Sequence, residues 1–159
     1  MGTFWELALE DYEHAVFCMN AGRNKFAAFH FQQFAEKGAK ALLEKIEPEH
    51  KNLKSHRVES VIASYDGKHR SGELSDKARY LTSFYFDTIY PGDNYAGDID
   101  DVQTENALRY ADILKEYYKA ELKKLGESTA KSITALNGLK PCTSPPTTPP
   151  APASGTQKT

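Results

Sequence analysis

Residues 29–45 read FHFQQFAEKGAKALLEK, and their apolar members recur at the three-and-four spacing of one helical face. Phe31, Phe34, Ala35, Gly38, Leu42 and Ile46 fall on that face and are assigned to a core. Glu36, Lys37, Lys40 and Glu44 fall away from it and are assigned to solvent. Glu36 and Lys40 stand four apart in the favourable order, which predicts a helix-surface pair contributing a few tenths of a kcal/mol. Gly38 costs about 1 kcal/mol relative to Ala in a helix interior, so its presence predicts that a neighbouring helix approaches closely.

The flanking segments keep the same period. A first helix is predicted from an N-cap at Thr3 to Ala21, with Phe4, Leu7, Ala8, Tyr12, Ala15, Val16 and Met19 sharing an apolar stripe. Gly22 ends it, and the tight connection to Asn24 makes the first two helices antiparallel neighbours. The second helix stops before Pro48, because the residue ahead of a proline is steered away from helical geometry. Ser55 is expected to cap a short helix containing Val58, Val61 and Ile62, closed by Asp66 and Gly67. A fourth helix follows from about Ser75 to Thr88, with Ala78, Leu81, Tyr85 and Ile89 inward. Asp100 then caps a last long helix, with Gln103 in the capping-box position, running to about Lys124, where Gly126 interrupts the pattern.

No segment alternates apolar and polar residues between turn signals, and the chain has only four valines. The predicted fold is all-α: an up-and-down bundle of four main helices plus a short one over residues 1–138. Residues 139–159 are predicted to be a disordered Pro/Thr/Ser-rich tail, since they hold six of the eight prolines and too little apolar surface to offset ordering entropy. The formal net charge of -2 excludes a domain-wide electrostatic grip on nucleic acid, so any such contact must be local. Cys18 and Cys142 show neither a disulfide framework nor metal-ligand spacing, and no apolar run reaches the ~18 residues of a membrane span. A reducing cytoplasm, no membrane, no metal and no cofactor are the corresponding expectations.

The run Gln32, Gln33, Ala35, Glu36, Lys37, Lys40, Ala41, Leu42 and Leu43 resembles the second helix of HEPN domains. Other pieces match in order: Trp5, Ala8, Asp11 and Ala15 in an opening helix, Ser55-His56 before a short helix, and Tyr90-Pro91 before the last helix. The resemblance covers roughly residues 3 to 122 and implies the HEPN helical bundle. It also implies that an active member would be a metal-independent ribonuclease. Such members use an Arg and a His separated by four to six polar residues on one helix, usually in a dimer: His exchanges a proton with the ribose hydroxyl or leaving oxygen while Arg holds the phosphate.

Only Arg23 and His30 meet that spacing, and they lie earlier in the bundle than the family's pair, so they are weak catalytic candidates. Many non-catalytic relatives carry Arg-Tyr-Pro ahead of the last helix, where this chain has Ile89-Tyr90-Pro91 and so lacks the phosphate-binding guanidinium. Tyr90, Asp93 and Tyr95 remain candidates for base contact, set against a plain loop-anchoring role. A basic cluster, Lys51, Lys54, His56, Arg57, Lys68 and Arg70, borders the short helix and is a candidate phosphate surface, set against ordinary solvated loops. His56 is read chiefly as a capping and packing residue.

The leading reading is a non-catalytic HEPN-like accessory module that binds nucleotide or nucleic acid and dimerises. As the resemblance implies, its partner is a minimal nucleotidyltransferase in a toxin-antitoxin-like system. Phe26, Phe29, Phe31, Phe34, Phe84, Tyr85 and Phe86 exceed the needs of a small core and point to a partner surface. The alternatives are a metal-independent ribonuclease toxin of the same fold and a purely structural interaction bundle.

Overall fold

The computed structural model describes residues 2–89 and 98–139. Tyr90, Asp93, Tyr95 and the Pro-rich tail lie outside the described residues. Five helices build the described chain: α1 Phe4–Asn20, α2 Asn24–Ile46, α3 Val58–Tyr65, α4 Glu73–Ile89 and α5 Asp101–Leu139. Short 3₁₀ turns at Lys51–Lys54 and Gly67–Arg70 flank α3, and no strand occurs among the described residues. Met1–Leu122 forms one compact unit. Lys123–Thr159 forms a second, of which residues 123–139 are described; they continue α5 with their described side chains almost all exposed.

Local chemistry sets the helix ends. Thr3 and Glu6 form a reciprocal capping box at the start of α1, each side chain taking the other's backbone N–H. Asp100 and Gln103 do the same for α5. Gly22, at φ 72°, supplies the left-handed residue that turns α1 into α2. The short α3 departs from expectation. Its N-cap is Arg57, which makes no side-chain cap bond, while Ser55 Oγ accepts only from the Arg57 N–H. The Val58 N–H instead donates to Thr82 Oγ1 of α4 at 2.9 Å, and that hydroxyl donates to Glu59 Oε2 at 2.8 Å. Gly126 does not break α5, because it is not a positive-φ position and a helical glycine costs only about 1 kcal/mol.

Within the first unit α2 is the central element, packed against α1, α3 and α4. Phe31, Phe34, Leu42, Leu43, Ile62, Leu81, Leu114 and Tyr118 are fully buried. Phe34 sits in an aromatic cluster with its ring centroid 5.4 Å from Tyr12, 6.0 Å from Tyr118 and 6.5 Å from Trp5. The close approach at Gly38 is made by a side chain: a Cβ there would lie 2.4 Å from the Tyr118 ring. Tyr118 Oη donates to the Ala35 carbonyl at 2.7 Å, and burial holds that hydroxyl well above the ordinary tyrosine pKa. Glycine is therefore required at position 38 for packing, with no call on its backbone freedom.

Two parts of the expected amphipathic pattern are corrected. Leu7 and Ile46 are exposed, Ile46 by 47 %, as each lies toward a helix end where the apolar assignment outruns the packed neighbours. Glu36 and Lys40, assigned to solvent, are only 5 % and 7 % exposed. A helix packed on several sides has little solvent face to offer its charges.

Candidate functional site

The polar residues of α2 form two networks, each centred on a carboxylate. The first centre is Asp11, a buried residue of α1. Its Oδ1 lies 2.8 Å from His30 Nδ1 and its Oδ2 lies 2.5 Å from Lys37 Nζ. His30 and Lys37 are seven residues apart, two turns along one face of α2, which is why a single α1 carboxylate meets both. With the Asp11 carboxylate as acceptor, His30 donates from Nδ1, and its Nε2 takes no part in that bond. The ring of His14, one turn along α1 from Asp11, lies 5.3 Å from that of His30.

The second centre is Glu36. Lys40 Nζ donates to it at 2.7 Å and Gln32 Nε2 at 2.9 Å, while His56 Nδ1 stands 3.3 Å from both carboxylate oxygens. Gln33 Nε2 donates to Gln32 Oε1 at 2.8 Å, extending the chain of amides toward the α1 side. His56 covers the network from the outside, its ring stacked on Tyr85 with centroids 4.3 Å apart and planes 12° apart. His56 thus packs, as expected, but caps no helix. The Gln-Gln, Glu-Lys and Lys residues of the 29–45 stretch are held inside these networks, so Glu36 and Lys40 are fold-determining and closed to a large ligand.

The HEPN domain model matches residues 1–122. The chain belongs to the HEPN domain family. Comparison with curated proteins and with solved structures gives no match.

In this HEPN domain Arg23 is the exposed N-cap residue of α2, and His30 lies two turns further on. A depression of about 350 Å³ is lined by Arg23, Asn24, Lys25, Phe26, Asp98 and Ile99 among others. A second, of about 250 Å³, is lined by Lys25, Phe26, Phe29, His30 and Thr88. The two share Lys25 and Phe26, so three cationic or titratable side chains and two phenyl rings border one continuous strip of surface.

The basic cluster is more dispersed. Lys51 and Lys54 are exposed on the first 3₁₀ turn, Arg57 precedes α3, and Lys68 and Arg70 are exposed on the second turn. Both turns pack on α3 but not on each other. Lys68 is paired with Asp66 at 3.2 Å, whereas Lys51, Lys54, Arg57 and Arg70 make no ion pair among the described residues. Of the aromatics assigned to a partner surface, Phe31, Phe34 and Phe84 are buried. Phe26 and Phe86 are about half exposed, at 54 % and 49 %, and Phe29 and Tyr85 lie between. Sequence reasoning did not foresee the role of Asp11 or His14. The available signal was a carboxylate placed inside an apolar stripe, between Ala8 and Ala15.

Proposed function

We propose that this HEPN domain is a non-catalytic, nucleotide- or RNA-contacting accessory module. It acts as a dimer in the cytoplasm beside a minimal nucleotidyltransferase in a toxin-antitoxin-like system. The observation that carries the contact is the strip at the start of α2, where Arg23, Lys25 and His30 stand among Phe26 and Phe29. Cations of this kind hold phosphate, and aromatic faces stack bases without sequence preference. Lys51, Lys54, His56, Arg57, Lys68 and Arg70, with Tyr90, Asp93 and Tyr95, are the second proposed contact. The half-exposed Phe26 and Phe86 supply apolar surface for a second copy. No helix among the described residues is long and apolar enough to cross a membrane.

Because the net charge is -2, binding should be weak and salt-sensitive, with only a few phosphates neutralised. The test is a titration of short single-stranded RNA and of ATP, in EDTA, at two salt concentrations. Replacing Arg23 and Lys25 together by Ala should weaken binding about tenfold, the loss of one or two charge-assisted contacts, and flatten the salt slope. The Lys54→Ala, Arg57→Ala, Arg70→Ala triple variant measures the second contact separately. Absence of binding by wild type at low salt would remove nucleotide contact and leave only the protein-partner role.

One observation favours the ribonuclease reading: Asp11 orients His30 so that its Nε2 can exchange a proton. In that case wild type cleaves RNA in EDTA and His30→Ala does not. RNA left intact at high protein concentration disposes of it.

A further inference from the structure

We propose that Asp11, His14 and His30 bind one borderline divalent transition-metal ion, clasping α1 to α2. The three side chains each offer a ligand atom, and these atoms lie within 4.8 Å of one another. Neither the sequence spacing nor the nucleotide reading requires this, since two ligands come from α1 and the third from α2 after a turn.

The distances suit an ion of this size. Four-coordinate metals with bonds of about 2.0–2.1 Å hold their ligand atoms about 3.3 Å apart. The Asp11–His30 contact, at 2.8 Å, is slightly shorter than that, and the cluster's outer limit of 4.8 Å is longer. Binding therefore needs the proton shared by Asp11 and His30 to leave Nδ1, the neutral ring then carrying its proton on Nε2, and an inward turn of His14. His14 is exposed, so that turn disturbs little packing.

The charge balance selects the metal. Lys37 Nζ holds Asp11 Oδ2, so Asp11 presents one oxygen, and its negative charge is already balanced. Hard ions such as Mg²⁺ and Ca²⁺ depend on several oxygen ligands and on carboxylate charge, and gain little here. Two neutral imidazoles and one carboxylate oxygen suit Zn²⁺, Ni²⁺ or Cu²⁺, and the solvent side is left for water as the fourth ligand. An ion tied to both helices binds the folded chain alone and raises its stability by mass action.

The experiment is calorimetric titration of the full chain with Zn²⁺, paired with thermal melting. Wild type should take up one ion saturably, undisturbed by a large excess of Mg²⁺. Its melting temperature should rise by roughly 5–10 °C when free zinc exceeds Kd about a hundredfold. His14→Ala, which removes an exposed side chain and so should fold, is expected to bind at least about tenfold more weakly. Cys142→Ser should bind as wild type. No saturable uptake, or equal uptake by wild type and His14→Ala, overturns the proposal. Because the RNA titration is run in EDTA, neither outcome here bears on nucleotide contact.

Discussion

Glu36→Ala is expected to lower the stability of the bundle by about 3–5 kcal/mol, the usual cost of removing one partner from a buried ion pair. The reason is what remains. Lys40 is 7 % exposed and its ammonium lies 2.7 Å from Glu36; without the carboxylate it is a buried charge with no counterion. Gln32, fully buried, loses the acceptor of its amide, and His56 loses the carboxylate that faces its Nδ1. Glu36→Gln keeps the volume and one acceptor oxygen and should cost less. The double variant Glu36→Leu with Lys40→Met should recover much of the loss, because it leaves neither charge behind. Urea unfolding of the four proteins measures each step. A loss below about 1 kcal/mol in Glu36→Ala would mean that the pair behaves as an exposed one.

Phe34→Ala should cost a comparable amount, about 3–5 kcal/mol, for an unrelated reason: a cavity. The Phe34 side chain is fully buried among Trp5, Tyr12 and Tyr118, rings drawn from α1 and α5. Those neighbours cannot collapse into the space freely, since Tyr118 is anchored to the Ala35 carbonyl and Tyr12 Oη is bonded to Asp112. Phe26→Ala serves as the comparison. It removes the same number of atoms from a site 54 % exposed and should change stability by about 0.5 kcal/mol or less. Equal losses at the two positions would contradict the assignment of the core face.

The helical period, the Thr3 and Asp100 caps and the Gly22 turn were readable from residue order because each depends on neighbours within four positions. Phe31, Phe34, Ala35, Gly38 and Leu42 were placed correctly for the same reason. Glu36 and Lys40 escape such a reading because charge marks a solvent face only on a helix that has one, and burial on further sides depends on how many helices surround α2. A cue was present in Ala35, Gly38, Ala39 and Ala41, small residues on more than one side of the helix, which only a surrounded helix needs. The cap of α3 was beyond reach by order alone: Thr82 lies 24 positions from Val58. The meeting of Asp11 and His14 with His30 and Lys37 likewise depends on how two helices rotate against each other, a property that the stripe of α1 leaves loose by about one residue.

The trans-supplied cap of α3 has a consequence for the order in which the chain folds. Eight residues are too few for a helix to persist alone, since isolated helices shorter than about 12–15 residues are marginal in water. The first amide proton of α3 is held by Thr82, so α3 gains its start only once α4 has arrived. The α1–α2 hairpin, joined by a short turn, has no such dependence. Helices α3 and α4 should then open and close as one cooperative unit, with the Val58 amide exchanging its proton at the rate of α4's interior and Thr82→Val releasing it alone. An early-exchanging Val58 beside a protected α4 would uncouple them. Thr82 thus acts less as a surface hydroxyl than as the latch between two segments of chain that reach the native state together.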